Sequence, residues 1–309
     1  MMEKFRYIFG PVPSRRLGIS LGISPIPKKT CNYSCIYCQL GRTDKMTNAR
    51  ESFFPPEDII SEFEEYLSSG QHFDAVTIVG EGEPTLYLDL GSLLAEIKER
   101  VKTPLAVITN GAMLYDRKLQ EELCNADIVL PSFDAYDEAS FRNINRPHKT
   151  LDFKRCYEGL AEFSNNYKGE LWLEIMLMRG VNDDDDSLCK YKSLLDKIKY
   201  SKLYINTPVR PPAEGNVYCI DSERTERAVE ILHGISIEKL ASEGFKSEIP
   251  DDYSAILSII KRHPMNQFEI KAFLESRQKK EPEKMIKMLD EDKDVDGINY
   301  KGITTYRLK

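Results

Sequence analysis

Histidine and tryptophan are scarce: among 309 residues there are four histidines, His72, His148, His233 and His263, and a single tryptophan. No apolar run approaches the ~18 residues that would span a bilayer. The opening MMEKFRYIFG lacks the apolar centre of a signal peptide, so the sequence reads as cytoplasmic, with no membrane partner. An excess of basic charge is also missing. The net charge is −7, which excludes a polycation built to coat nucleic acid. Seven cysteines in a cytosolic setting argue against a disulfide framework and for metal or catalysis where they cluster.

The average charge hides an asymmetry. Residues 1–50 hold nine Lys/Arg against Glu3 and Asp44, a local +7, so the remainder sums to −14. A basic segment on an acidic body suggests that one face meets an anion, unless the charge is merely scattered over a solvated surface.

Up to about residue 250, short apolar, β-branched runs alternate with amphipathic stretches. Strands are expected at 17–23, 74–80, 104–110, 127–132, 171–177 and 202–208, the pattern of strands buried on both faces of a parallel sheet. Helices are expected at 55–69, 90–101, 116–126, 151–165, 186–199 and 222–235, with Pro55 and Pro56 in a first turn and Ser222 as an N-cap. Six such units imply an α/β fold, a partial (β/α)6 TIM-like barrel over residues 1–250, with functional loops at the C-terminal ends of the strands. From Asp251 the pattern changes to three short helices, one capped by Asn266, and a hairpin. That is the outline of a winged-helix-like domain at 251–309. With twelve Lys/Arg against eleven Asp/Glu it is nearly neutral, although its expected recognition helix, Lys280 to Leu289, carries Lys280, Lys284 and Lys287.

Three of the seven cysteines crowd into TCNYSCIYCQLG, as Cys31, Cys35 and Cys38. The other four, Cys124, Cys156, Cys189 and Cys219, are isolated and read as small buried hydrophobes. Closed structural metal sites use four ligands, and cubane iron–sulfur clusters usually take four thiolates. Three thiolates leave one metal position open, as catalytic sites do. The rival reading is zinc with a fourth ligand from elsewhere, but four scattered histidines and no second CxxC pair offer little support.

CNYSCIYC, with the aromatic Tyr37 before the last cysteine, resembles the signature of the radical S-adenosylmethionine (SAM) superfamily. The resemblance implies a 4Fe–4S cluster on Cys31, Cys35 and Cys38 and SAM chelated by the unligated iron. A reducing donor of the flavodoxin or ferredoxin type would supply the electron. Cleavage would then give a 5′-deoxyadenosyl radical that removes hydrogen from a substrate, an oxidoreductase or transferase chemistry. GEGEP (80–84) is similar to the family's Gly-Gly-Glu-Pro segment, with Glu81 in place of the first glycine. It implies SAM-binding roles for Gly82, Glu83 and Pro84. The same resemblance makes Asn110, Ser132, Asp134 and Glu174 candidates for the ribose and carboxylate of SAM, and Asn206, Pro208 and Val209 for its adenine; each polar group could instead cap a turn.

Residues 7–235 further resemble a subgroup related to the wybutosine-type tRNA-modification enzymes, through GPVPSRRLGISLGI (10–23), GEGEPTL (80–86), FDAYDEASFRNINRPH (133–148) and NTPVRPP (206–212). Arg15, Arg16, Arg146, His148 and Arg210 are then substrate-side candidates, since guanidinium forks suit phosphate or carboxylate. Archaeal members carry additional cysteines ahead of the signature loop for a second cluster. This chain has none before Cys31. The expected substrate is RNA first and a peptide or protein second. A small-molecule enzyme and a cluster-containing winged-helix regulator are the alternatives.

Overall fold

The computed structural model describes residues 5–240, 244–247, 249–279, 282–300 and 302–309. Its main sheet has eight strands in sequential order: β1 (Ile8–Ser14), β2 (Gly18–Ile23), β3 (Ala75–Ile78), β4 (Leu105–Thr109), β5 (Ile128–Pro131), β6 (Glu170–Met176), β7 (Lys202–Asn206) and β8 (Ile235–Ser236). From β2 to β8 all neighbours are parallel, whereas β1 runs antiparallel to β2. The fold is therefore α/β with a mixed sheet. The six expected strands are all present; β1 and β8 are additions. β1 reads poorly as a strand because IFGPVPS contains two prolines, which an outermost strand tolerates since one side of its ladder needs no donors.

The sheet curls. Arg16, just ahead of β2, hydrogen-bonds Glu174 on β6, four strand spacings away, which would be about 19 Å in a flat sheet. Leu17, Ala75, Ala106, Leu130, Trp172 and Tyr204, from across the sheet, meet in one interior cluster.

Outside lie helices α1 (Pro56–Leu67), α2 (Leu90–Arg100), α3 (Arg117–Leu123), α4 (Glu138–Ile144), α5 (Phe153–Asn166), α6 (Asp185–Leu195) and α7 (Ser222–Leu232). α4 is absent from the expected helices. At seven residues it is too short for an apolar stripe to register, and it is held by a capping box between Asp137 and Ser140. The cap of α7 is Asp221, which accepts from Arg224 N, and not Ser222, which is the first helical residue. A carboxylate there also complements the helix dipole.

The C-terminal unit comprises α8 (Asp252–Arg262), β9 (Met265–Asn266), α9 (Gln267–Ser276), α10 (Pro282–Glu291), β10 (Val295–Tyr300) and β11 (Ile303–Leu308). β11 lies between β9 and β10, antiparallel to both. Asn266 does cap α9, in a capping box with Glu269. Ile256, Ile260, Ile270, Phe273 and Tyr306 form a core separate from that of the sheet. Of the expected recognition helix, Lys280 lies outside the described residues, while Lys284 and Lys287 are on α10.

This unit sits against the main sheet at several points. Arg210 Nη2 donates to Glu269 Oε1 at 3.2 Å. Arg307 Nη1 donates to Gln39 O at 3.2 Å, and Lys28 Nζ to the backbone oxygen of Lys309 at 2.9 Å. Cys219 N donates to Tyr300 Oη at 3.2 Å. Of the four isolated cysteines, Cys156 and Cys219 are buried as expected; Cys124 and Cys189 are exposed, because each falls on the outward side of a helix or its end. Among the described residues no helix is long and apolar enough to cross a membrane.

Candidate active site

The cysteine loop follows β2 and is clasped by its neighbours. Ser34 N donates to Asn145 O at 2.9 Å and Ile36 N to Ile144 O at 3.0 Å, both at the end of α4; Glu214 N donates to Ile36 O at 3.0 Å. Cys31, Cys35 and Cys38 are half-buried free thiols. Donors point at two of the sulfurs: Tyr33 N at 3.4 Å and Asn110 Nδ2 at 3.6 Å from Cys31 Sγ, and Asn145 Nδ2 at 3.6 Å from Cys35 Sγ.

Burial raises the pKa of all three thiols. Glu83 adds to the rise at Cys31 and Asp134 at Cys35, while backbone N–H groups, Arg307 and Lys29 counter it at Cys38. Thiolates in such a setting need a cation, and metal binding supplies one. Among the described residues no three Cys, His, Asp or Glu side chains are gathered as ligands of one ion. In a cluster each thiolate would take its own iron, so the three sulfurs need not converge on one point. Three half-buried thiols on one loop, with amide donors aimed at two of them, fit that group.

The 80–84 segment lies directly on this loop. Lys29 N donates to Glu81 O at 2.5 Å and Glu83 N to Thr30 O at 3.0 Å. Gly82 is needed because a Cβ there would stand 1.9 Å from Thr30 O. The close backbone approach that the glycine allows is thus to the cysteine loop. The family resemblance gives Glu83 the SAM ammonium, but its oxygens are engaged: Oε1 accepts from Thr85 N (3.0 Å), Thr85 Oγ1 (2.6 Å) and Thr109 Oγ1 (2.5 Å), Oε2 from Asn110 N (2.7 Å). Burial pushes its carboxyl pKa up against these bonds. Glu83 joins the 80–84 segment to the end of β4, and Pro84 begins the short 3-10 turn that follows.

Asp134 is likewise occupied. It accepts from Tyr37 Oη, from Asn145 Nδ2 at 3.3 Å and from Met176 N at 2.9 Å. It therefore ties the cysteine loop to β6 and has little left for a ribose hydroxyl. Asn110, whose Nδ2 also donates to Asn32 Oδ1 at 2.7 Å, lines a cavity beneath the loop with Ser132, Asp134, Asn145, Tyr33 and Cys156. Two residues that the sequence does not single out, Asn32 and Asn145, are buried and hold this layer together. Only the spacing of Asn145, directly before the RPH segment, hints at a role.

Burial raises the Asp134 carboxyl to about 6, with the Tyr37 hydrogen bond the largest opposing influence. The unfolded value is about 3.9. Between pH 4 and 6 the unfolded chain therefore sheds this proton before the folded protein does. Stability is expected to fall as pH rises through that window, by about 3 kcal/mol. Urea midpoints of cluster-free protein and of Asp134→Asn, compared from pH 4 to 7, test this: the difference between them should narrow or reverse across the window, and a constant difference would contradict it.

The arginines are mostly committed. Arg16 pairs with Glu174 inside the curled sheet, and Asn206 Nδ2 donates to Glu174 Oε1 at 3.2 Å. These three are brought together inside the curled sheet, where Glu174 neutralises the Arg16 guanidinium. Arg146 and Arg42 share Glu214 at 2.5 and 3.0 Å, and Arg210 is held by Glu269. His148 Nδ1 bonds Thr150 Oγ1 at 2.9 Å. Pro208 is buried and Val209 is exposed. Arg15 is exposed and has no ion pair among the described residues.

The family model of the radical SAM superfamily matches residues 26–191. The UPF0026 protein MJ1312 of Methanocaldococcus jannaschii is 38% identical over 277 residues, covering 86% of this chain and 85% of that one. A protein of Brachyspira hyodysenteriae named GTPase Obg is 40% identical over 225 residues, 73% of this chain. The chain spans only 33% of that protein's length, so the name says nothing of this part. Among solved structures, SuiB of Streptococcus suis bound to S-adenosylmethionine is similar in fold, with a TM-score of 0.54 at 17% identity over 70% of this chain and 47% of that one. The thiol triad, the loops clasped round it and the match over more than half of the sequence lead to one conclusion: the chain belongs to the radical SAM superfamily, whose members are enzymes that use a 4Fe–4S cluster and SAM.

Proposed function

We propose that the protein modifies an RNA by radical SAM chemistry, as the wybutosine-type resemblance suggests. Residues 1–250 would form the catalytic domain and 251–309 a winged-helix-like domain that helps to seat the substrate. The observation that carries the RNA reading is a seam between the loop after β7 and the C-terminal unit. Four of the eight exposed large hydrophobics of the described residues, Val209, Tyr218, Phe268 and Ile303, lie along it. They are placed there by the Arg210–Glu269 bond, by Thr304 N donating to Gln267 Oε1 at 3.4 Å, and by Tyr300 at 217–219. Arg179 N donates to Tyr218 O at 3.0 Å. The Arg179 side chain, like that of Arg15, is exposed without an ion pair among the described residues. Exposed aromatics for stacking beside unpaired guanidinium groups suit a single-stranded nucleic acid.

In this reading Cys31, Cys35 and Cys38 hold the cluster, which supplies the electron that splits SAM. A one-electron donor such as a flavodoxin or ferredoxin reduces it. Tyr37, Glu83 and Asp134 fix the loops; the backbone of the 80–84 segment, with Asn110 and Ser132 on the cavity lining, is left to face the nucleotide.

Anaerobically reconstituted protein is expected to release 5′-deoxyadenosine from SAM on reduction; a pure sensor would not. Binding of transfer RNA should weaken steeply with salt. Substituting Arg15 and Arg179 by alanine should flatten the slope of log K against log salt by about 0.7 for each phosphate that is no longer neutralised. Phe268→Ala should weaken binding about fivefold or more at unchanged slope, as loss of one stacked base does. Weak binding that is flat in salt removes the RNA reading, and the exposed apolar residues would then favour a peptide or protein substrate.

A further inference from the structure

Glu81, which stands where the family's segment has its first glycine, meets Arg262 at the end of α8: Nε and Oε2 are 3.3 Å apart, with the two side chains 3% and 9% exposed, Arg262 first. The contact lacks hydrogen-bond geometry. Glu81 Oε1 and Arg262 Nε and Nη1 are buried without a hydrogen-bond partner among the described residues. Arg262 is otherwise held by Nη2 donating to Arg6 O and by the ring of Phe9, 5.3 Å from Cζ to centroid. A buried pair of this kind, with donors and an acceptor left over, is poor as a device for stability alone. Its position is informative. Glu81 O accepts from Lys29 N, and Glu83 N donates to Thr30 O, so the segment carrying the ion pair is bonded to the two residues just before Cys31. On the other side, Arg307 reaches Gln39 O, next to Cys38.

We infer that Arg262 and Glu81 are positioning residues that couple the seating of the C-terminal unit to SAM binding. The inference rests on the SAM-binding reading of the 80–84 segment. Pulling α8 away removes the guanidinium that touches this buried carboxylate beside Gly82 and leaves only the more distant charge of Lys28 to offset it. With Arg262 in place, the 80–84 segment and the start of the cysteine loop are held in one register. Such coupling is reciprocal: SAM bound at that segment holds the C-terminal unit down as strongly as the unit favours SAM. Glycine at position 81, as in the family's usual segment, would make no such connection.

The test uses the full chain, anaerobically reconstituted, and the variants Arg262→Met, Arg262→Lys, Glu81→Gln and Glu81→Gln/Arg262→Met, each checked for iron content and circular dichroism. SAM affinity is measured by calorimetry, and hydrogen exchange of α8 and β11 with and without SAM. In the parent protein SAM is expected to slow exchange in α8. Arg262→Met should weaken SAM binding about fivefold or more and abolish that protection, and the double variant should lose no more than the worse single one. Arg262→Lys, which keeps the charge and the fold, should lie between. If SAM binds the parent protein, yet binds Arg262→Met and Arg262→Lys equally well and leaves α8 exchange unchanged, the coupling is overturned while the SAM reading stands. If the parent protein binds no SAM, the SAM reading itself fails.

Discussion

Cys35→Ala is expected to remove essentially all cluster iron and all SAM cleavage while the protein remains folded. The side chain sits on a half-buried loop at the C-terminal ends of the strands and packs against the edge of the sheet core without being one of its fully buried members. The loop's backbone bonds to the end of α4, from Ser34 N and Ile36 N, do not involve the sulfur. Trimming one sulfur forfeits about 1 kcal/mol of burial, small against the 5–15 kcal/mol of a typical domain. Function is another matter. Two thiolates hold two irons of four, and nothing nearby substitutes for the third: the Asn145 amide is a donor at 3.6 Å, and the Asp134 carboxylate is occupied by Tyr37, Asn145 and Met176 N. Iron content, the absorbance of the reconstituted protein and 5′-deoxyadenosine release should fall together to background. Exposed Cys124 serves as the control; Cys124→Ala should change none of them. A Cys35→Ala protein with parental iron and cleavage would contradict the assignment of this thiolate.

The part of the fold that repeats is legible in the sequence. Each expected strand from β2 to β7 is found within a few residues, because buried parallel strands are continuous apolar runs bounded by turn residues. What escapes is short or irregular. β1 hides behind Pro11 and Pro13, β8 has two residues, and α4 is held by its Asp137–Ser140 box instead of a long apolar stripe. The site is legible in its ligands and less so in its polar residues. The three cysteines carry their meaning in their spacing. A motif residue such as Glu83 or Asp134 has the right type in the right order, yet whether its oxygens face a ligand or the chain's own donors depends on Thr109, Asn145 and Met176, which lie 26, 11 and 42 positions away. The basic charge of residues 1–50 is partly spent for the same reason: Arg16, Arg42, Lys45 and Arg50 find Glu174, Glu214, Glu51 and Glu122, while Arg15 stays exposed without an ion pair among the described residues. Sequence order does not show such pairs.

Gly82→Ala carries the second large effect. The new methyl group would lie 1.9 Å from Thr30 O, 2.8 Å from its carbonyl carbon and 3.0 Å from its nitrogen. All three are backbone atoms, so no side chain can turn aside. The 80–84 segment must lift from the cysteine loop, stretching the bonds from Lys29 N to Glu81 O and from Glu83 N to Thr30 O. Glu83, buried with four donors around it, would be dragged from them. Overpacking costs about 1–3 kcal/mol, and each buried group left unsatisfied about 1–3 more. The expected result is a loss on the order of 3–5 kcal/mol in urea unfolding of the cluster-free protein, with cluster retention impaired because Cys31 adjoins Thr30. Gly215, which has nothing within 4 Å of an added Cβ, provides the control: Gly215→Ala should be close to neutral. Measuring without cluster or SAM separates two uses of the glycine. If Gly82 served only to admit the nucleotide, Gly82→Ala would unfold at the parental urea concentration and lose SAM affinity alone. A large destabilisation before any ligand is added means that the glycine first lets two loops of the chain touch, and that the nucleotide meets a surface this contact has already shaped.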